Sequence, residues 1–520
     1  MTGRGVVVAR NGVVATSQPL ATAVGLHVLQ QGGNFVDAAL AVSAVLTVVE
    51  PYNSHLGGDA FVVLYDAQTR QTHALNASGP APRAATRERF ADGIPLRGMA
   101  SASVPGLVSA WALLHERYAT RDLDELLQPA IRYAQQGFPA GYRYSQVFAA
   151  NESLLRQFPI TWRELMPDGQ LPFPGKIVTQ PQLGWTLSRI ATAGPMDFYQ
   201  GHIAERIVRH CQHHGGLFTE SDLAQPPAEW REPLRTEYRG YTLHAQPPVS
   251  QGHILAQMLN LLEGYDLRSL GALSAEVIHL QVEAKKLAFA DRHAYLGDPR
   301  FVRVPLETLL SKEYAARRRT HIDPHRAADH VTAGELEHDT TYFCVVDRWG
   351  NAISFIQSIF HTFGCAEVAE GTGVLFNNRM TGFSLDPNSP NVLEPGKRPV
   401  HTLNAYLLTR GEELAFVGGT PGGDVQVQTS TQVICNLIDF GMNPQEAVEA
   451  PRWQHDPEGL KVERRMPMET LQALERKGHR VMLLPEWGQS GAVQVVAVHP
   501  ESKALLAGSD PRCDGHAAGW

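Results

Sequence analysis

An α+β fold is what this 520-residue sequence predicts, on three observations. From about Ser103 to Asp329 the apolar spacing is mostly helical. From Thr340 onward the chain turns strand-rich, and its strands come in pairs. Helix-rich and strand-rich stretches mix without a regular βαβ beat, so antiparallel pairs with helices on their faces is the economical arrangement.

The elements follow in order. Ala21 to Gln31 has a helical pattern and stops at Gly32-Gly33, a normal C-terminal signal. A second helix runs to about Val49. Its apolar run, Phe35 to Val49, carries Asp37, Ser43 and Thr47 and is too short to span a bilayer, so it reads as a buried helix. Phe61–Tyr65 and His73–Leu75 read as strands. Val104–Tyr118, Asp124–Gln136, Gln182–Ala193 and Ala275–Leu296 read as helices, punctuated by turn-rich Ala224–Pro227 and Gln246–Gln251. Thr341–Asp347 and Ala352–Ser358 form a strand pair turning at Arg348-Trp349-Gly350-Asn351. Leu403–Arg410 and Leu414–Val417 form another. A helix is expected from near Asp424 to Phe440, and Asn443-Pro444 caps the next one. Arg480–Leu484 and Ala492–Val498 close the chain as strands.

Composition narrows the function. The chain is 43% hydrophobic and 19% charged, with net charge −8. No Lys/Arg run offers a phosphate-binding stripe, which argues against nucleic acid. The N-terminus shows no secretory pattern, and the five scattered cysteines form no CxxC. Reduced thiols in a cytoplasmic protein are therefore expected, with Cys344 in the core. His210-Cys211-Gln212-His213-His214 closes a helix and matches no standard zinc spacing. Gly57-Gly58 lacks the Lys-Ser/Thr of a phosphate loop. Neither a metal nor a cofactor is expected.

The chemistry lies at the boundary between the helix-rich and strand-rich parts. A Thr-Thr pair entering a strand says little alone, since threonine is common in strands. Its context, DTTYFCVVDRWGNAISFIQS, resembles the nucleophile segment of the γ-glutamyltranspeptidase family. Other segments carry the same resemblance, in order, along nearly the whole chain. They include Gly32-Gly33-Asn34-Phe35-Val36-Asp37, His55-Leu56-Gly57-Gly58, Tyr238-Arg239-Gly240-Tyr241, Asn377-Asn378 with Met380, Pro421-Gly422-Gly423 and Ala450-Pro451-Arg452.

The resemblance implies the four-layer αββα sandwich of N-terminal nucleophile hydrolases. It implies self-cleavage between Asp339 and Thr340, giving chains of residues 1–339 and 340–520 that remain associated as a heterodimer, with a dimer of heterodimers left open. Thr340 would then carry both the nucleophilic hydroxyl and the base, an α-amino group whose ordinary pKa is roughly 7.7–8.0. Gly422 and Gly423 match the family's oxyanion-hole pair, and Ser358 stands where a threonine bonds the nucleophile.

Departures from the family pattern bear on the substrate. Ser78 occupies the position of the arginine that binds the γ-glutamyl α-carboxylate. Gly382 occupies that of the aspartate binding its α-amino group. Phe360 replaces a donor-contacting asparagine, and His401-Thr402 replace paired serines. Losing both charged anchors removes the strongest hydrogen bonds of the head site, so a smaller acyl group without an α-amino group is expected. His401, Thr402, Asn404 and Arg379 are candidates for holding a substrate carboxylate, Arg379 being equally readable as a solvent-facing charge. The loop Ser384–Pro390 is short, which would leave the site less covered. Among relatives without the anchors, an oxamate amidohydrolase yielding oxalate and ammonia fits a narrowed pocket and a cytoplasmic setting. The alternatives are a glutaryl (cephalosporin-type) acylase, a γ-glutamyl transferase or hydrolase, and a relative that never matures.

Overall fold

The computed structural model describes residues 3–328, 340–489 and 491–520. Fourteen strands build its two main sheets. In chain order they are β1 (Val7–Ala9), β2 (Val13–Thr16), β3 (Asp59–Asp66), β4 (Gln71–Ala77), β5 (Glu229–Arg231), β6 (Leu234–Tyr238), β7 (Tyr241–Ala245), β8 (Thr341–Val346), β9 (Ala352–Ser358), β10 (Tyr406–Arg410), β11 (Glu413–Gly419), β12 (Gln494–Val498), β13 (Leu505–Ser509) and β14 (His516–Gly519). One sheet runs β14-β2-β8-β9-β3-β4-β5 and the other β1-β13-β12-β11-β10-β7-β6. Every pairing between neighbours in both is antiparallel.

The sheets stack face to face between helical layers. Along β8, Tyr342, Cys344 and Val346 point into the space between the sheets, where they meet Phe61, Leu407 and Val496. Phe343 and Val345 point the other way, into a core shared with the helices α1 (Pro19–Gln30), α2 (Phe35–Val49), α3 (Leu107–Tyr118) and α4 (Leu123–Gln136). Period-two alternation with both faces covered explains why this strand reads as an unbroken apolar run. The second sheet is covered on its outer face by α5 (Gly252–Leu262), α6 (Ala275–Tyr295) and α7 (Val425–Ile438). The molecule is thus the four-layer αββα sandwich. No helix among the described residues is long and apolar enough to cross a membrane.

Some expectations need correction. The middle of the chain is not only helical: β5, β6 and β7 close one edge of each sheet. The strand expected from Leu403 starts at Tyr406, because the stretch before it bends to meet the Pro247–Ser250 turn. His401 N–H donates to Val249 O, and Ser250 Oγ donates to Leu403 O. Val481–Leu484 is a strand but belongs to a separate three-stranded sheet. Gly57 and Gly58 serve close backbone approach: a Cβ on Gly58 would lie 2.4 Å from Ser358 O, and one on Gly57 2.4 Å from Leu375 O.

Candidate active site

Strand register lines up the candidate residues. Thr341 pairs with Gln357, Ser358 with Asp59, and Ala60 with Ala77. One step toward the same sheet end, Thr340, Ser358, Asp59 and Ser78 therefore stand in a row across four neighbouring strands. Thr340 is 3% exposed, and its hydroxyl donates to Ser358 Oγ at 3.2 Å. Ser358 Oγ also accepts the Phe360 N–H at 2.8 Å, which fixes its lone pairs. Asp339 lies outside the described residues.

Facing Thr340 across a cavity of about 230 Å3 is Gly422. Gly422 and Gly423 have φ of +118° and +56°, and their carbonyls accept from Val425 and Gln426 at the start of α7. The turn places their N–H groups ahead of a helix N-terminus, where backbone donors face outward and favour negative charge. Gly422→Ala would force a side chain into a backbone region that suits glycine and swing this donor away. An oxyanion donor contributes about 2.7–4 kcal/mol, so steady-state kinetics should show kcat lower by about 10²- to 10³-fold.

Arg379 is fully buried, which overturns the solvent-facing reading. Its Nε contacts Asp59 Oδ2 at 3.3 Å, and Asp59 Oδ1 accepts the Gly79 N–H at 2.9 Å. Burial pushes both partners toward neutrality, Asp59 up to about 6 and Arg379 down to about 10, while their mutual attraction and the Gly79 bond oppose this. Both Nη atoms of Arg379 have no partner among the described residues. Buried guanidinium donors without acceptors mark a place for a ligand oxygen.

Residues that differ from the family pattern lie near this guanidinium. The Phe360 ring lies 4.0 Å from the Arg379 guanidinium carbon. Phe360 is held at φ +83°, a strained region for a bulky residue and a mark of functional sites. A Cβ at Gly382 would meet Val400 O, Pro399 and Phe360 at 3.6–3.9 Å, ordinary contact distances, so close packing does not require the glycine there. His401 is buried, its ring centroid 5.0 Å from that of Phe61, and neither ring nitrogen has a partner among the described residues. Burial, with Arg379 and Arg398 nearby, holds it neutral. Thr402 Oγ1 and the Asn404 side-chain amide also lack partners among the described residues. The Ser78 hydroxyl, by contrast, donates to Asn76 Oδ1 at 2.7 Å, so its proton is already engaged.

The sequence reading missed Asp59, although it directly follows the quoted Gly57-Gly58. It also missed Ser17, Glu50 and Asn53, which line the Thr340 cavity. Glu50 carried one signal, a lone carboxylate ending the apolar run of α2. Elsewhere the fold brings His210 and His214 to Glu367. His210 Nδ1 accepts the Glu370 N–H, which leaves its proton on Nε2, the atom a metal would need bare. A second group joins His279 and His479 to Glu283, whose carboxylate is already held by Lys286 and the Ala328 N–H.

Comparison with known proteins agrees with this geometry. The family model described as Gamma-glutamyltranspeptidase matches residues 21–520. The glutathione hydrolase-like YwrD proenzyme of Bacillus subtilis (strain 168) is 39% identical, covering 99% of each chain. The acylase ACY 1 proenzyme of Pseudomonas sp. (strain V22) is 35% identical, over 97% of this chain and 92% of its own. The crystal structure of cephalosporin acylase from Bacillus halodurans is 38% identical, covers 100% of this chain and 98% of its own, and superimposes with a TM-score of 0.94. On a match of this extent the chain belongs to the γ-glutamyltranspeptidase family of N-terminal nucleophile hydrolases, enzymes acting on amides.

Proposed function

We propose that this protein cuts itself before Thr340 and then hydrolyses amides whose acyl group ends in a carboxylate and lacks an α-amino group, glutaryl-type acyl amides being the substrate class. In the cut, Thr340 Oγ attacks the carbonyl of residue 339, the acyl group moves from nitrogen to oxygen, and water hydrolyses the ester. The products are chains 1–339 and 340–520, held together as a heterodimer. In turnover, the freed amine takes the hydroxyl proton as Oγ attacks the substrate carbonyl. The oxyanion forms toward the Gly422 and Gly423 N–H groups. The proton passes to the leaving nitrogen as its bond to carbon breaks, and water then hydrolyses the acyl-enzyme and regenerates Thr340.

The observation that carries the acyl preference is the buried Arg379 guanidinium, whose two Nη atoms have no partner among the described residues. Asp59, which holds it, stands two strands from Thr340 in the register, about 10 Å by ordinary strand spacing. An acyl chain with several carbons between carboxylate and carbonyl suits that separation. Oxamate, whose carboxylate carbon is bonded directly to its amide carbon, does not. Relatives named as acylases support an acylase reading over the oxamate one. Gly382 supplies no carboxylate for an α-ammonium group, which separates glutaryl from γ-glutamyl substrates.

The test is a panel of amides compared by kcat/KM: glutaryl, succinyl and γ-glutamyl anilides, with ammonia release from oxamate. Glutaryl anilide should lead γ-glutamyl anilide by at least about tenfold, the equivalent of about 1.4 kcal/mol. A γ-glutamyl anilide that leads would restore the glutathione-hydrolase reading, and rapid oxamate turnover would overturn the spacing deduction.

A further inference from the structure

Cutting before Thr340 would turn a peptide N–H into an α-amino group with up to three protons, at a residue only 3% exposed. Such a group needs acceptors, because buried donors without partners are costly. The Thr340 hydroxyl already uses Ser358 Oγ, and the Gly422 and Gly423 N–H groups are donors themselves. The acceptor must come from the cavity that Thr340 lines.

Besides the Ser17 hydroxyl, which is engaged by Glu50 and Thr341, three side chains there offer oxygens. Gln489 Oε1 accepts from Arg452, and Gln489 Nε2 donates to Thr429. The Glu50 carboxylate accepts the hydroxyls of Ser17 and Thr341, both at 2.8 Å, and the Asn53 amide. Asn53, 5% exposed, is different. Its side-chain amide sits beside Glu50, and its Oδ1 has no partner among the described residues.

We infer that Asn53, oriented by Glu50, is the receptor for the Thr340 α-amino group and a positioning residue for the base. This rests on Thr340 being the freed nucleophile. An acceptor beside an ammonium favours its charged form, so Asn53 sets the pH at which the amine becomes a base. Other charged or titratable groups facing the cavity are Glu50, Arg143, Arg512 and Cys513. Arg512 is neutralised by Glu463 and Asp510.

The test follows wild type, Asn53→Ala and Asn53→Asp by intact mass, by the pH profile of kcat/KM, and by the pH dependence of acetylation at the Thr340 amine, which needs no activity. All three proteins should be cut. The acidic midpoint should fall by about one pH unit in Asn53→Ala and rise by about one in Asn53→Asp, in both the kinetic and the labelling readout. Midpoints that coincide with wild type in both variants, whatever kcat does, would overturn the assignment of Asn53 alone. An uncut wild-type chain would overturn the nucleophile reading with it.

Discussion

Thr340→Ala should remain a single chain of about 57 kDa on intact mass analysis, however long it is incubated. The acyl shift needs a hydroxyl at residue 340, and alanine has none. Hydrolysis should vanish with it, by a factor on the order of 10⁵ to 10⁶, the loss seen when a covalent nucleophile is deleted. The fold should survive, because Thr340 makes its side-chain bond to Ser358, itself anchored by the Phe360 N–H. Thr340→Ser keeps the hydroxyl and should cut and turn over, more slowly for want of the methyl that limits its rotamers. A cut Thr340→Ala chain would place the nucleophile elsewhere.

Arg379→Met should lower kcat/KM for a carboxylated acyl amide by about 10²- to 10³-fold, since truncating one partner of a buried charge pair costs about 3–4 kcal/mol. A neutral isostere of the same acyl length should be turned over at the wild-type rate. That difference between substrates separates anchoring from general damage. The single variant also leaves Asp59 buried without its cation, which destabilises the fold. Asp59→Asn with Arg379→Met removes both charges while keeping an acceptor for the Gly79 N–H. The double variant should recover stability in urea unfolding without recovering the carboxylate preference. Equal losses for charged and neutral substrates would show that Arg379 supports the structure and does not bind the acyl group.

How far the sequence foretold this molecule depends on what each feature is made of. β8 and β9 were legible because both faces of their sheet are covered, so their residues are apolar without interruption, and Gly350 at φ +84° marks the turn between them. β6 was not, because at a sheet edge its burial alternates among charged residues and resembles a loop. β1 is three residues long and exists by pairing with residues some 500 positions away, Val7 with Ala507. No local pattern encodes such a partner. In the site, Thr340, Ser358 and the glycine pair were legible as motif members. Arg379 could be named but not placed, since its meaning comes from Asp59 and Phe360, which approach it only in the folded chain. Asn53 carries no motif, and an unpartnered oxygen is visible only in three dimensions.

The order of strands in the two sheets has a consequence for the lifetime of the protein. Strands before and after Thr340 alternate across them: β2 lies between β14 and β8, and β1 and β7 pair with β13 and β10. If the chain is cut before Thr340, neither piece holds a complete sheet, so neither can exist as this folded body by itself. Assembly from the intact chain is a one-molecule event. Reassembly from the separated pieces is a two-molecule encounter, slowed by dilution and open to aggregation of strands that have lost their neighbours. The proposed cut would therefore turn a reversible folding equilibrium into a one-way step, after which the enzyme would persist because it unfolds slowly and not because it can fold again.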